Sequence, residues 1–156
     1  MITVSTSKAA GRGEDESGPR LARWAKSLRL EIAATEIVPD DPDLLSERLR
    51  HWADTERCEV VLTTGGTGLS PTDLTPEATR AIVDREAPGI AEAMRAASRD
   101  HTPHWMLSRG IAGVRGSTLI VNFPGNPPAI DQAGAAIADA VPHALELLRG
   151  GGHRHG

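Results

Sequence analysis

The sequence is poor in aromatic residues and in cysteine, and these shortages exclude several kinds of protein. Tyrosine is absent, Phe123 is the only phenylalanine, and Cys58 is the only cysteine. An intrachain disulfide and a cysteine-built zinc site are therefore excluded, and the predicted core is aliphatic. The sequence shows neither a basic leader followed by an apolar run nor a stretch long enough to span a membrane, so we expect a cytoplasmic protein.

Excess positive charge is also missing. The formal net charge is −4, which is unfavourable for a general nucleic-acid or membrane-surface protein, and any anionic ligand must be held by local groups. A length of 156 residues suits one compact domain. We expect that domain to cover residues 1–149, with a flexible glycine- and histidine-containing tail at 150–156.

Glycine is concentrated instead in one segment that follows a short apolar run. Thr64 is followed by three glycines within four positions, Gly65, Gly66 and Gly68, with Thr67 between them. Glycine lets backbone N–H groups approach a ligand closely, and threonine adds hydroxyl donors. The segment therefore predicts a loop that binds an anion such as a phosphate, whereas the alternative is a tight turn without a ligand. The loop matches neither the dinucleotide-binding nor the P-loop glycine motif.

Apolar runs alternate with helix-start signals along the chain, which predicts a mainly parallel sheet with helices on both faces. Strands are predicted at 2–5, 30–38 and 60–64, with a hairpin of 111–114 and 117–121 around Arg115-Gly116. Residues 7–18 read as a loop. Helices are predicted from Ser17, from Pro42, from Thr75 to about Arg85, over 89–99, and as one final helix through 130–148.

The loops that leave the predicted strands are expected to meet at one edge of the sheet. They are residues 5–18, 39–42, 64–76 and 122–128, and they are rich in glycine, proline and acidic residues. Ligands bind at the carboxyl ends of the strands in open α/β sheets. These loops therefore predict a single active site.

Two aspartates in these loops are candidate Mg²⁺ ligands. Asp40 and Asp73 each precede a predicted helix start, and carboxylates near phosphates favour this hard cation. The alternative is that both simply compensate a helix dipole. Asp41 and Thr75 already occupy the predicted cap positions, which leaves Asp40 and Asp73 available for a ligand.

Other residues at the same predicted edge of the sheet are weaker candidates for binding a ligand. Ser108-Arg109 could hold a phosphate or carboxylate, although lone arginines near hairpins usually face water. In the turn Pro124-Gly125-Asn126, the asparagine could donate to a ligand or only adopt a left-handed backbone. Ser17-Gly18 offers a free hydroxyl at a helix entry, with helix capping as the alternative.

Several segments in matching order make the chain resemble the molybdopterin-binding family, which includes the MogA and MoaB proteins and the G domain of gephyrin-like proteins. The resemblance covers nearly the whole chain. The segments that carry it are Asp15-Glu16-Ser17-Gly18-Pro19, Val38-Pro39-Asp40-Asp41, Thr63-Thr64-Gly65-Gly66-Thr67-Gly68, Asp73-Leu74-Thr75-Pro76-Glu77-Ala78-Thr79, Pro88-Gly89-Ile90, Leu107-Ser108-Arg109 and Val121-Asn122-Phe123-Pro124-Gly125.

The resemblance implies a three-layer α/β/α sandwich, a mostly parallel sheet with a β-hairpin edge, and a homotrimer. It implies Mg-dependent transfer of AMP from ATP to the terminal phosphate of molybdopterin, in molybdenum cofactor biosynthesis, with possible hand-over to a molybdenum-insertion protein. Asp40 and Asp73 match the two catalytic aspartates. The implied substrate-binding residues are Ser17, Gly18, Thr64, Gly65, Gly66, Thr67, Gly68, Thr75, Ser108, Arg109, Pro124, Gly125 and Asn126.

The chain departs from the family pattern at two places. Ser5-Thr6-Ser7 replaces a Ser-Asp-Arg-like sequence, and Pro128 stands where a lysine is frequent. An alternative function is therefore a catalytically weak paralogue that only binds or carries molybdopterin. Another is a related domain that acts on other nucleotides, as in the CinA family, whose additional domains do not fit in this length.

Overall fold

The computed structural model describes residues 1–150, and it contains a six-stranded mixed sheet with helices on both faces. The predicted tail at 150–156, apart from Gly150, lies outside the described residues. The strands are β1 (Ile2–Val4), β2 (Glu36–Val38), β3 (Val60–Thr64), β4 (Arg85–Glu86), β5 (Ala112–Arg115) and β6 (Thr118–Phe123). Their order in the sheet is β2-β1-β3-β6-β5-β4.

Three pairs of neighbouring strands are parallel and two pairs are antiparallel, so β5 is the one strand of this sheet that runs opposite to the other five. β2, β1, β3 and β6 run in one direction, while β5 pairs antiparallel with β6 and β4 antiparallel with β5. Gly116, at φ +57°, lies in the turn of the β5–β6 hairpin. The α/β fold and its mainly parallel sheet with a hairpin at one side are thus as expected from the sequence.

Residues 1–150 contain seven α-helices, of which the first five lie between strands and the last two follow β6. They are α1 (Thr6–Ala9), α2 (Ser17–Ser27), α3 (Pro42–Arg50), α4 (Thr75–Arg80), α5 (Pro88–Ala96), α6 (Pro127–Ile137) and α7 (Ala140–Leu148). A π-helical turn, His51–Thr55, follows α3, and a 3-10 turn, Trp105–Leu107, follows α5. No helix within residues 1–150 is long and apolar enough to cross a membrane.

The sheet separates two aliphatic cores because successive side chains of a strand point to opposite faces. On β3, Val61 belongs to the cluster that α3 and α4 cover, and Leu62 belongs to the opposite cluster. That second cluster is larger, and α2, α5, α6 and α7 supply its helical residues. Phe123 is fully buried there, with its ring 5.0 Å from that of Trp24. The sandwich therefore has three layers.

The structure corrects two predictions about the first half of the chain. The strand predicted over 30–38 is limited to Glu36–Val38 because β1, its partner, begins at Ile2, which pairs with Glu36. The predicted loop over 7–18 overlaps α1 and also the start of α2, at Ser17.

Two helix predictions in the second half were also wrong in extent. The helix from Thr75 ends at Arg80, not near Arg85, because residues 85–86 pair with β5 as a strand. The final helix is divided into α6 and α7. Pro142 lies in the first turn of α7, and a proline inside one continuous helix would clash with the carbonyl of the residue four positions earlier.

Candidate functional site

The loops at the carboxyl ends of the parallel strands are joined to one another by hydrogen bonds. Gly65 N donates to Phe123 O at 3.2 Å, which links the loops after β3 and β6. Ser17 Oγ donates to Gly125 O at 2.6 Å and so brings the start of α2 to the same place. Thr64 Oγ1 donates to Pro124 O at 2.7 Å. The sheet edge formed by these loops is called the carboxyl rim below.

The glycine loop has a backbone that only glycine can follow at two positions. Gly65 has φ +97°, and a Cβ there would lie 2.5 Å from Val4 O on the neighbouring strand. Gly66 has φ +67°, and its Cβ would lie 2.2 Å from Thr75 Oγ1. Both contacts are shorter than real side chains make, so the loop depends on glycine for its position as well as its conformation.

Thr75 is the first residue of α4 and does not cap it, contrary to the sequence-based expectation. Its hydroxyl donates to Gly65 O at 2.9 Å, and its N–H donates to Gly66 O at 3.1 Å. The residue before it, Leu74, offers no side-chain cap. Thr75 therefore holds the glycine loop against the start of the helix.

Asn122 organises a buried polar network under the loop that the sequence analysis missed. Its Nδ2 donates to Thr63 Oγ1 and Thr79 Oγ1, both at 3.0 Å, and its Oδ1 accepts from Ile111 N at 3.1 Å. Thr79 Oγ1 in turn donates to Thr75 O at 2.9 Å. A polar residue within the apolar run of β6 was the available signal, since a buried amide needs partners.

Thr6, the first residue of α1, holds Asp40 in place. Asp40 Oδ2 accepts hydrogen bonds from Thr6 N at 3.1 Å and Thr6 Oγ1 at 2.9 Å, and the Asp40 N–H donates to Thr6 Oγ1 at 3.0 Å. The adjacent Asp41 caps α3 through Asp43 N and Leu44 N, as expected. Asp40 is therefore free of capping, and Thr6, which the sequence analysis treated only as a missing charge, orients it.

Asp73 is held within its own loop. Its Oδ2 accepts from Ser70 N at 3.1 Å, and a Cβ on Gly68 would lie 2.8 Å from the same oxygen. Thr72 and Leu74, on either side of Asp73, line a narrow cleft together with Asp40. The two aspartate loops therefore meet at the carboxyl rim.

Asp15 holds the remaining rim segment. Its Oδ1 accepts from Ser17 N at 3.1 Å and Gly18 N at 3.0 Å, and its Oδ2 accepts from Thr3 Oγ1 at 2.8 Å. A Cβ on Gly18 would lie 2.4 Å from that Oδ2. The capping alternative for Ser17 is thus wrong, because Asp15 accepts the first N–H groups of α2 and the serine hydroxyl is directed to Gly125.

Ser108 and Arg109 are directed to different parts of the site. Arg109 Nε donates to Gly68 O at 2.8 Å, Nη2 donates to Asp73 O at 2.6 Å, and both terminal nitrogens contact Glu77. Hydrogen bonding from Arg109 holds the pKa of Glu77 below its usual value. All three guanidinium nitrogens therefore have protein acceptors. Ser108 borders a cavity instead.

That cavity, of about 290 Å³, lies between α5, α6 and the 3-10 turn and opens beside the carboxyl rim. Its lining includes Met94, Trp105, Ser108, Asn122, Pro124 and Asn126. Asn126 is the residue before α6, with extended backbone angles of −73° and 121°, so the left-handed alternative is wrong. Its side chain makes no capping bond. The cavity combines an aromatic ring and apolar walls with amide and hydroxyl groups.

Residues 1–150 contain no cluster of three or more histidine, cysteine or acidic side chains that could hold a metal ion. His101 and His104 are exposed. Asp40 and Asp73 are the carboxylates at the carboxyl rim that the sequence suggests as cation ligands. The oxygen donors of these two carboxylates suit Mg²⁺, which often has only one or two protein carboxylates alongside substrate phosphates.

The fold and this edge define a class of protein: an α/β domain that binds its ligand where the parallel strands end. The family described as a probable molybdopterin binding domain matches residues 1–143. The molybdopterin adenylyltransferase of Helicobacter pylori is 41% identical over 152 residues, which cover 96% of this chain and 86% of that protein. The chain belongs to the molybdopterin-binding domain family.

Two further relatives bear on the extent of the similarity. MoaB, a molybdopterin biosynthesis enzyme from Thermus thermophilus, has a structure with a TM-score of 0.90 and 46% identity, covering 96% of this chain and 94% of that chain. The molybdenum cofactor synthesis protein cinnamon of Drosophila melanogaster is 37% identical over 149 residues. Those residues cover 95% of this chain but 25% of cinnamon, so this chain spans a quarter of that relative.

Proposed function

We propose that this protein is a molybdopterin adenylyltransferase. It would transfer AMP from ATP to the terminal phosphate of molybdopterin and release pyrophosphate. The family membership and the adenylyltransferase from Helicobacter pylori support this reaction. The observation that carries it in this chain is that Asp40 and the neighbours of Asp73 border one cleft at the carboxyl rim, and that neither aspartate forms an ion pair among residues 1–150.

The reaction joins two anions, and this sets the task of the protein. A phosphate oxygen of molybdopterin forms a bond to the α-phosphorus of ATP, the bond to the bridging oxygen breaks, and pyrophosphate leaves with the electron pair. Catalysis then depends mainly on positioning and on neutralising charge, and no covalent intermediate with a side chain is needed.

Asp40 and Asp73 fit the role of Mg²⁺ ligands. Each has one carboxylate oxygen in a hydrogen bond, Oδ2 in both cases, while no hydrogen bond involves Oδ1 of either residue within the described part of the chain. When bound, Mg²⁺ would supply positive charge that offsets the negative charge of the phosphates. Thr6 and Ser70 N would keep the two carboxylates oriented toward it.

The glycine loop would hold the phosphates. With no Cβ at Gly65 and Gly66, the ligand can approach the backbone closely, and the start of α4 lies directly behind through Thr75. The cavity beside Ser108 and Asn126 would hold the pterin, because a flat, polar ring system needs both an apolar wall and amide or hydroxyl partners.

The alternative is a protein that binds or carries molybdopterin without transferring AMP. Pro128, where the family often has a lysine, favours it, because a cation that could neutralise phosphate is missing there. Lys8, in α1, and Arg12, shortly after that helix, form no ion pair in the described structure and could supply that charge. Asp40 and Asp73 favour the enzyme.

The test is to incubate the purified protein with molybdopterin, ATP and Mg²⁺ and to measure pyrophosphate and adenylylated pterin. We expect turnover by the wild type and a loss of at least about a hundredfold in Asp73→Ala, since stabilisation of the transition-state charge is removed. Molybdopterin affinity of the variant, measured by fluorescence quenching, should stay within about threefold because Asp73 lies outside the cavity.

Asp139→Ala is the matched control, because Asp139 is exposed at the start of α7 and makes no capping bond. Unchanged pyrophosphate release in Asp73→Ala would contradict the role of that residue. A wild type that binds molybdopterin and never consumes ATP would support the carrier function instead.

We further infer that the protein is a homotrimer and that it hands adenylylated molybdopterin to a molybdenum-insertion protein. Both come from the family resemblance. Size-exclusion chromatography with light scattering tests the first: a mass near three times 16.5 kDa is expected, and a monomer would contradict it.

A further inference from the structure

Arg109 is a candidate substrate ligand whose donors are already occupied by acceptors within the protein. Its backbone N–H donates to Thr67 O at 2.7 Å, its Nε to Gly68 O at 2.8 Å, and its Nη2 to Asp73 O at 2.6 Å. These acceptors lie at the two ends of the segment 67–73. The arginine therefore closes that segment into a loop of fixed span.

Glu77 completes the arrangement from the first turn of α4. Nη1 and Nη2 of Arg109 both donate to its carboxylate. The same carboxylate holds the pKa of Arg109 above its usual value, with a smaller contribution from Asp73. A guanidinium offers five donors in one plane, which matches a carboxylate and two carbonyls at once and which lysine cannot reproduce. The loop is thereby attached to a helix as well as closed.

The loop that Arg109 closes contains the carboxylate that the reaction needs. Asp73 Oδ2 rests against Gly68 and accepts from Ser70 N, both within the closed segment. A displacement of Gly68 or of the Asp73 backbone would therefore move this carboxylate relative to Asp40. Misplacement of a catalytic group by about 1 Å can lower a rate by about a hundredfold.

We propose that Arg109 and Glu77 form a brace that positions Asp73 for catalysis, and that Arg109 is a positioning residue and not a ligand of the substrate phosphates. The role in catalysis rests on the proposed adenylyl transfer, whereas the brace itself can be tested without it. An arginine that bound phosphate would need to exchange its contacts with Gly68, Asp73 and Glu77 for contacts with the ligand.

The experiment compares Arg109→Ala, Glu77→Ala and the double variant with the wild type. We expect Arg109→Ala to lower kcat about tenfold to a hundredfold, with KM for ATP and for molybdopterin within about threefold. Glu77→Ala should lower kcat in the same direction by less, because the contacts with Gly68 and Asp73 remain. The double variant should match Arg109→Ala, since residues that act as one unit are not additive.

The matched control is Arg149→Ala. Arg149 also pairs with a glutamate, Glu59, through two nitrogens, but it lies at the end of α7, away from the carboxyl rim. Arg109→Lys is the variant that keeps the charge if Arg109→Ala folds poorly. It should retain more of kcat than Arg109→Ala and less than the wild type, because one ammonium cannot reach all the acceptors.

Amide hydrogen exchange of the ligand-free protein gives the readout that does not depend on activity. The amides of Asp73 and of position 109 should exchange at least about tenfold faster in Arg109→Ala, since local opening exposes them. Arg149→Ala should leave both amides unchanged. If the wild type transfers no AMP, the proposed function is wrong, but this measurement still shows whether Arg109 holds the segment 67–73 in place.

Two results would overturn the proposal. In the first, Arg109→Ala raises KM for ATP or molybdopterin more than tenfold, and Glu77→Ala leaves kcat unchanged or increases it. That pattern is expected if the guanidinium of Arg109 binds substrate, because loss of Glu77 would free it to do so. In the second, exchange at Asp73 is the same in Arg109→Ala and in the wild type.

Discussion

The two edges of the parallel sheet hold their acidic residues in different ways. At the edge where the strands begin, each of three acids forms an ion pair with an arginine: Glu36 with Arg48, Asp54 with Arg115 and Glu59 with Arg149. At the carboxyl rim, Asp15, Asp40 and Asp73 accept hydrogen bonds only from N–H groups and hydroxyls within the described residues.

The difference matters because an arginine both orients a carboxylate and neutralises it. A hydroxyl or a backbone N–H orients a carboxylate and leaves its full charge for a cation or a ligand. The acids at the first edge are therefore neutralised by arginines, whereas Asp15, Asp40 and Asp73 at the carboxyl rim keep their negative charge. Even Arg109, which lies at the carboxyl rim, forms its ion pair with Glu77 and contacts Asp73 only through the backbone carbonyl.

The largest expected difference between the edges is in activity. Asp40→Asn should lower AMP transfer at least about a hundredfold, because a charged ligand is lost from the site. Its unfolding free energy should change by less than about 1 kcal/mol, since the amide oxygen can still accept from Thr6. Glu59→Gln should leave activity unchanged. Initial rates of pyrophosphate release and urea denaturation test this pair, and equal activity in both variants would contradict the comparison.

The second expected effect is on stability and concerns Asp15, which separates a structural acid from the other two acids of the carboxyl rim. Asp15→Ala should lower the unfolding free energy by about 1–2 kcal/mol, because the first N–H groups of α2 and the hydroxyl of Thr3 lose their acceptor. Asp15→Asn keeps one acceptor oxygen and should lose less. Urea denaturation is the measurement. An Asp15→Ala variant as stable as the wild type would show that these hydrogen bonds do not stabilise the fold.

The smallest expected effect depends on pH and concerns Glu36. Its pKa is lowered mainly by the hydrogen bond from Arg48 and further by Trp52, while burial acts in the opposite direction. Because the folded-state pKa lies below the unfolded one, this stabilisation is present above the ordinary glutamate pKa of about 4.3 and is lost as the pH falls through the lowered folded-state value. Glu36→Gln should therefore lower the unfolding free energy by about 1 kcal/mol at pH 7 and by less at pH 3.

Urea denaturation at the two pH values measures this difference. Glu86→Gln is the matched control, because Glu86 forms an exposed pair with Arg80 and should have little effect at either pH. An equal loss at pH 7 and pH 3 in Glu36→Gln would show that the ion pair is not the source of the stabilisation.

Local signals in the sequence were enough to predict much of the carboxyl rim. The glycine cluster, the Asp41-Pro42 helix start and the Arg115-Gly116 hairpin each depend on neighbouring residues, and the structure has all three elements. Because the loops after parallel strands lie at one edge of a sheet, it could also be predicted that these distant segments lie close together.

Contacts between distant residues could not be read in the same way. The amide of Asn122 meets Thr63 and Thr79, which are 59 and 43 positions away. Arg109 meets Gly68 across 41 positions. The short extent of β2 likewise depends on where β1 begins, which no pattern within residues 30–38 encodes. These contacts and strand ends depend on which distant residues pair, and the periodicity of apolar residues in a sequence does not identify those residues.

The strand order sets the distance between the starts of the two loops that carry Asp40 and Asp73. β1 lies between β2 and β3, so the loop that carries Asp40 and the loop that carries Asp73 start two strand spacings apart, about 9.6 Å. That interval is a property of backbone hydrogen bonding and is the same whatever side chains the strands carry. The distance between the two aspartates can therefore change only through the lengths and contacts of their loops, because the spacing of the strands is constant.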